Sequence, residues 1–129
     1  MMLRTLLAGA AILASVPALA GDPEAGASVF RKCQACHAVG EAAKNKVGPE
    51  LNGIFGRTAG TLPDYRYSAA MKDSGIVWNP EVFAEYIRNP RAMVHGTTMA
   101  FAGLKKDKEI EDVTAYLAQF DADGTIKAE

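Results

Sequence analysis

Several absences narrow what this chain can be. Its 129 residues include only two cysteines, two histidines and one tryptophan, too few cysteines for the disulfide framework of a small secreted scaffold. Basic residues are not in excess, since 14 Lys and Arg stand against 15 Asp and Glu for a formal net charge of −1. Nor are they interleaved with an exposed aromatic run, so no nucleic-acid partner is expected. No stretch alternates apolar and polar residues long enough to read as a strand. The one sustained apolar run lies at the N-terminus and is about 11 to 16 residues long, short of the roughly 20 that cross a hydrocarbon core, so no membrane-embedded segment is expected.

That N-terminal run is ordered in a telling way. Arg4 precedes uncharged Thr5 to Ala14, and Pro17 leads into Ala18-Leu19-Ala20. Charged, then apolar, then small is the order of a secretory leader, with cleavage after Ala20 and delivery to the periplasm. The remainder, residues 21–129, has the length of a single domain. Losing Arg4 leaves 13 basic and 15 acidic residues, a formal net charge of −2.

An exported chain with two cysteines would ordinarily form one disulfide. Here Cys33 and Cys36 enclose only Gln34 and Ala35, and a loop that short restrains the unfolded chain little. A thioredoxin-like pair needs a neighbouring strand-helix-strand unit, and none precedes Cys33. A zinc site from Cys33, Cys36, His37 and His95 would ask adjacent residues to take two corners of one tetrahedron, without the ligand spacing of known zinc sites. The residue after the pair gives another reading. Cys33-Gln34-Ala35-Cys36-His37 is the pattern that captures haem vinyl groups as thioethers, with the imidazole of the following residue aimed at the iron.

The rest of the chain reads as helices separated by long loops. Asp22 caps a helix over about 23–35, with Pro23 at its first position and Glu24 complementing the dipole. A short helix over about 69–73 follows Ser68 and ends before Gly75. Asn79 and Pro80 open a third, whose Phe83, Tyr86 and Ile87 share one side and which stops at Asn89-Pro90. The last, over about 108–120, carries Ile110, Val113, Leu117 and Phe120 as one apolar stripe. The class is therefore all-α. The loops 38–67 and 91–106 are long for so small a domain, and a large apolar cofactor would supply the core they lack.

Ordered motifs along the whole of residues 21–129 carry a resemblance: Gly26 and Phe30 before the Cys33–His37 segment, then Lys46-Val47-Gly48-Pro49-Glu50-Leu51-Asn52-Gly53, Phe55-Gly56-Arg57, Gly75-Ile76-Val77-Trp78, Glu85-Tyr86-Ile87, Asn89-Pro90, and Gly96-Thr97-Thr98-Met99-Ala100-Phe101-Ala102-Gly103. In these the chain resembles the class I c-type cytochromes, the family of mitochondrial cytochrome c and bacterial cytochrome c2. The resemblance implies a cytochrome c fold of about four helices and long loops around one haem c, covalently bound through Cys33 and Cys36. It implies His37 and Met99 as axial iron ligands, with Pro49 offering its carbonyl to His37. Arg57 and Trp78 would steady a propionate, while Tyr86 and Thr97 would hydrogen-bond around the Met99 sulfur and the inner propionate. Tyr67 and Phe101 complete the cofactor-binding set. Gly26, Phe30 and Tyr116 would join the first and last helices.

Physical chemistry supports these roles. A neutral imidazole needs its second nitrogen hydrogen-bonded to fix ring orientation, and a thioether opposite it favours reduced iron. Met71 and Met93 are the rivals to Met99, and either could instead fill gaps in a core. Met71 makes its side of the pocket less polar than in mitochondrial relatives, and His95 reads as an exposed loop residue. With both axial positions filled, the iron changes oxidation state and no substrate bond is made or broken, so the chain is expected to be a monomeric one-electron carrier and not an enzyme. A haem peroxidase or gas sensor with a displaceable Met99 is the alternative. The resemblance places Lys32, Lys46, Arg91, Lys105 and Lys106 around the exposed haem edge, where a membrane redox complex would dock: a cytochrome bc complex, a terminal oxidase or a photosynthetic reaction centre. Glu24, Asp64, Asp73 and Glu109 are expected elsewhere.

Overall fold

A computed structural model describes residues 8–10 and 19–127; the leader read over residues 1–20 lies almost wholly outside them. Five helices follow one another among the described residues: α1 (Pro23–Phe30), α2 (Ala69–Lys72), α3 (Pro80–Arg88), α4 (Pro90–Met93) and α5 (Asp107–Ala118). Among the described residues the only β pairings are two isolated bridges, Thr58 with Val77 and Phe120 with Ile126. The all-α expectation holds.

Three helix starts are as the sequence reads. The Asp22 side chain accepts from the Glu24 N–H, that of Ser68 from Met71, and that of Asn79 from Val82, with Pro23 and Pro80 just inside their helices. Two boundaries differ. α1 stops at Phe30 and not near Ala35, because the winding beyond it tightens to three residues per turn: Lys32 N–H donates to Val29 O, Cys33 to Phe30 O and Cys36 to Cys33 O. At that pitch residues three apart eclipse, so Cys33 and Cys36 still share a side. Pro90, read as a stop, instead opens α4, since a missing N–H costs nothing at the first helical position. That makes five helices where about four were expected.

α1 and α5 cross in close contact. A Cβ on Gly26 would run into the Asp112 carbonyl and lie 2.7 Å from Tyr116 Cβ, so only glycine lets the two backbones approach this far. Phe30 packs on Tyr116 with ring centroids 5.4 Å apart, and Tyr116 on Phe120 at 5.2 Å. This is the expected joint of Gly26, Phe30 and Tyr116. α3 lies across α5, and Phe83, Tyr86 and Ile87 face the core with Ile110, Val113 and Leu117.

A candidate cofactor site

The tight turn after α1 sets the first wall of the site. The His37 N–H returns to the Cys33 carbonyl at 2.8 Å and the Gly48 N–H to the Cys36 carbonyl at 2.8 Å, folding the 46–50 segment back over the imidazole. His37 Nδ1 then lies 2.7 Å from the Pro49 carbonyl. A carbonyl only accepts, so the proton sits on Nδ1 and the Nε2 lone pair is left free. Gly48 is part of the same cradle, for a Cβ there would strike the ring. Burial pushes the imidazole below its ordinary pKa, against the opposite pull of the Pro49 hydrogen bond, which favours the neutral, metal-binding form.

The second wall is the loop between α4 and α5. It is tied at its base by Val94 N–H to Pro90 O and by Leu104 N–H to Ile87 O, each 2.9 Å. Within it the Met99 N–H donates to Thr97 Oγ1 at 3.2 Å, and the Tyr86 hydroxyl donates to Met99 Sδ at 3.2 Å. Burial pushes the Tyr86 phenol up to about 12, with Thr97 pulling the other way, so the phenol stays protonated as a donor. Trp78 stacks edge-on to Tyr86 at 4.8 Å.

Between these walls lies a cavity of about 420 Å³, within the range of small-molecule and cofactor sites. All eleven residues singled out from the sequence line it: Cys33, Cys36, His37, Pro49, Arg57, Tyr67, Trp78, Tyr86, Thr97, Met99 and Phe101. Arg57 and Trp78 are brought together by the backbone, with the Trp78 N–H donating to Arg57 O at 2.9 Å. The Arg57 guanidinium is also engaged with Glu50, at its carbonyl (2.9 Å) and at Oε1 (3.3 Å), and with the Asn52 carbonyl (2.7 Å). Glu50 sits inside a quoted motif but was given no role, because spacing does not reveal an ion pair across a turn. The Tyr67 hydroxyl accepts from the Leu62 N–H at 3.3 Å. Met71 lines the cavity, Met93 does not, and His95 is exposed.

The thiols argue against a redox pair. Burial and then the neighbouring Cys36 push the Cys33 thiol up to about 11, against the pull of Lys32, whereas a reactive cysteine needs a depressed pKa. No cluster of His, Cys, Asp and Glu suited to a metal ion occurs among the described residues, so the zinc reading also lapses. Two thiols on one side of a tight turn, a neutral imidazole with a free Nε2 and an oriented thioether on one apolar cavity make a donor set suited to haem and poorly suited to a hard cation. The family model for cytochrome c matches residues 23–121.

The chain belongs to the cytochrome c family. It is 56% identical over 108 residues to cytochrome c-550 of Nitrobacter winogradskyi, covering 84% of this chain and 99% of that one. It is 50% identical over 127 residues to cytochrome c2 of Blastochloris viridis, covering 97% and 100%. The solved structure of cytochrome c2 from Rhodospirillum centenum superposes with a TM-score of 0.74 at 42% identity, covering 78% of this chain and 99% of that one. This cytochrome is a class I c-type protein, an electron carrier and not an enzyme, with haem held covalently and Cys33 and Cys36 as its only thiols.

The expected basic ring is only partly free. Lys32 pairs with Glu109 at 2.8 Å, which corrects the expectation that Glu109 lies away from that face. Lys46 Nζ donates to the Gln34 carbonyl, and Lys105 Nζ to the Arg88 and Ala102 carbonyls. Arg91 and Lys106 are exposed. No helix among the described residues is long and apolar enough to cross a membrane.

Proposed function

We propose that this cytochrome works in the periplasm as a one-electron carrier with His37 and Met99 as axial ligands. The observation that carries the reading is the pair of fixed donors on one cavity, His37 held by Pro49 at 2.7 Å and Met99 held by Tyr86 at 3.2 Å. When bound, the haem supplies an iron that gains and loses one electron. The protein's part is to keep both donors in place in either state, so that little reorganisation accompanies transfer. Pro49 fixes the imidazole plane and tautomer. Tyr86 draws density from the Met99 sulfur, making it a poorer donor to ferric iron and holding the potential up. Arg57, steadied by Glu50, and Trp78 and Tyr67 would hold the propionates.

Export is supported by the leader pattern and by a family match that begins at residue 23, just past Ala20. Docking is assigned to the side where Val47, 76% exposed, lines the cavity beside Lys46. An apolar rim with local positive charge suits transient contact with an acidic membrane complex even at a net charge of −2, because exposed charges beyond about 10 Å are largely screened. The test is to purify the exported holoprotein with its own membranes. It should be reduced by a membrane quinol-oxidising complex, oxidised by a terminal oxidase or photo-oxidised reaction centre, and slow to bind carbon monoxide when reduced. Rapid carbon monoxide binding would favour the sensor or peroxidase reading instead.

A further inference from the structure

A second cavity, of about 210 Å³, is a groove beside α3 and α5 whose walls include Ala20 and Gly21 together with Glu81 and Glu111. Ala20 and Gly21 flank the expected cleavage point. Gly21 is held so close to α5 that a Cβ would run into the Glu111 carbonyl and approach the Asp112 nitrogen to 2.7 Å. One residue on, the Asp22 N–H donates to Asp112 Oδ1 at 2.8 Å, an oxygen that also accepts from Lys108 Nζ at 2.6 Å. Asp112 is 4% exposed. The start of the processed chain is thus clamped to α5 among carboxylates.

We propose that the amine freed at Gly21 is a structural cation, closing the seam between α1 and α5 through the carboxylates of Glu81 and Glu111. The proposal rests on the reading that the leader is cut after Ala20. Hydrolysis by the export peptidase breaks the Ala20–Gly21 amide and consumes one water. It leaves a carboxylate on the leader and an amine on Gly21, which takes up a proton at neutral pH. Before cleavage the same place holds a neutral amide, so the seam gains its charge only once the chain has been exported. The positive end of the α1 dipole opposes a cation here, and the surrounding carboxylates must outweigh it.

The charged groups that line this groove or stand beside it are Asp22 and Glu24 at the start of α1, Glu81 on α3, and Glu111, Asp112 and Lys108 on α5. The Asp112 hydrogen bond holds Lys108 above its ordinary value, and an α-amine ordinarily changes charge between about pH 7 and 9. Carboxylate neighbours raise its folded pKa above its unfolded value. Its contribution is then complete below about pH 7.7 and lost as pH rises through the folded value.

The experiment compares exported holoprotein, whose first residue is read by intact mass, with the same protein acetylated selectively at its α-amine. Both are unfolded in urea, which does not screen charge, at pH 6.5 and pH 9.5. Acetylation should raise the unfolding constant about threefold at pH 6.5 and leave it unchanged at pH 9.5. In Glu81→Gln/Glu111→Gln the acetylation effect should vanish. A Gly21 start with equal stability of both forms at pH 6.5, or a penalty that survives in the double variant, overturns the structural cation alone. A mass corresponding to another first residue overturns the cleavage reading and the proposal with it.

Discussion

Across the seam of α1 and α5 the Phe30 ring packs on Tyr116 with centroids 5.4 Å apart, and Gly26 lets the backbones close until a Cβ there would meet Tyr116. Leu51, Tyr67 and Phe101 are only half-buried, and all three turn toward the 420 Å³ cavity. The first region is helical and packs helix on helix, turning only Phe30, Val113 and Leu117 toward the cavity. The second is built from turns, with hydrogen bonds such as Leu51 N–H to Ala38 O at 3.0 Å and Gly40 N–H to Asn52 Oδ1 at 2.9 Å in place of a ladder. The difference teaches where the protein places its stability and where it places its function. A pair of helices joined side chain to side chain forms the frame, and the loops are free to present donors to a cofactor whose apolar surface completes their packing.

The largest effect should come from separating the loops from that cofactor. Cys33→Ala with Cys36→Ala should abolish acid-acetone-resistant haem, and hydrogen exchange should lose protection across 38–67 before it loses residual helix in α1 and α5. Equal loss in both regions would erase the distinction. The converse break is Gly26→Ala, which drives a methyl into the Asp112 carbonyl. It should cost about 2 kcal/mol in denaturant unfolding while leaving the spectrum of the remaining folded holoprotein unchanged. A spectral shift would mean that the seam and the site are not separable.

Tyr86→Phe acts on the site alone. It removes the hydroxyl that donates to Met99 Sδ at 3.2 Å, a bond worth about 1 kcal/mol. The potential should fall by up to about 40 mV, the one-electron equivalent, as measured by redox titration, with no more than that ~1 kcal/mol lost in unfolding. A rise would reverse the assigned role of the phenol.

Much of both regions was legible in the sequence. Asp22-Pro23 and Asn79-Pro80 announce helices because a cap acceptor and a preset φ act locally. Ten of the eleven site residues sit within the ordered motifs, Tyr67 falling between them, and all eleven line one cavity. What was not legible depends on contacts between distant segments. Nothing in the sequence near Gly48 says that its hydrogen faces the His37 ring, or that Glu50 will hold Arg57. The tight turn after Phe30 contains no breaker, so α1 read too long. Glu109 looked remote from Lys32 until α5 folded back on α1.

The smallest effects should come from single charges outside the cofactor cavity. Asp112 is held below its ordinary value first by the Asp22 N–H and then by Lys108. Its contribution is present above about pH 3.8 and is lost as pH falls through the lower folded value. Asp112→Asn should flatten that acid limb without moving the potential. Lys46→Glu should slow the second-order reaction with a purified membrane partner at low salt, and the defect should shrink as salt rises. Glu24→Lys should change the rate much less.

The central claim is that Met99, and neither of its rivals, completes the iron's coordination. The measurement is the sulfur-to-iron charge-transfer band of the ferric protein, together with carbon monoxide binding by the ferrous one, in Met99→Ala, Met71→Ala and Met93→Ala. Met99→Ala should lose the band and bind carbon monoxide readily, while the other two keep the band and resist the ligand. Retention of the band in Met99→Ala, with its loss in Met71→Ala, would contradict the account and transfer the sixth position to the other methionine that lines the cavity.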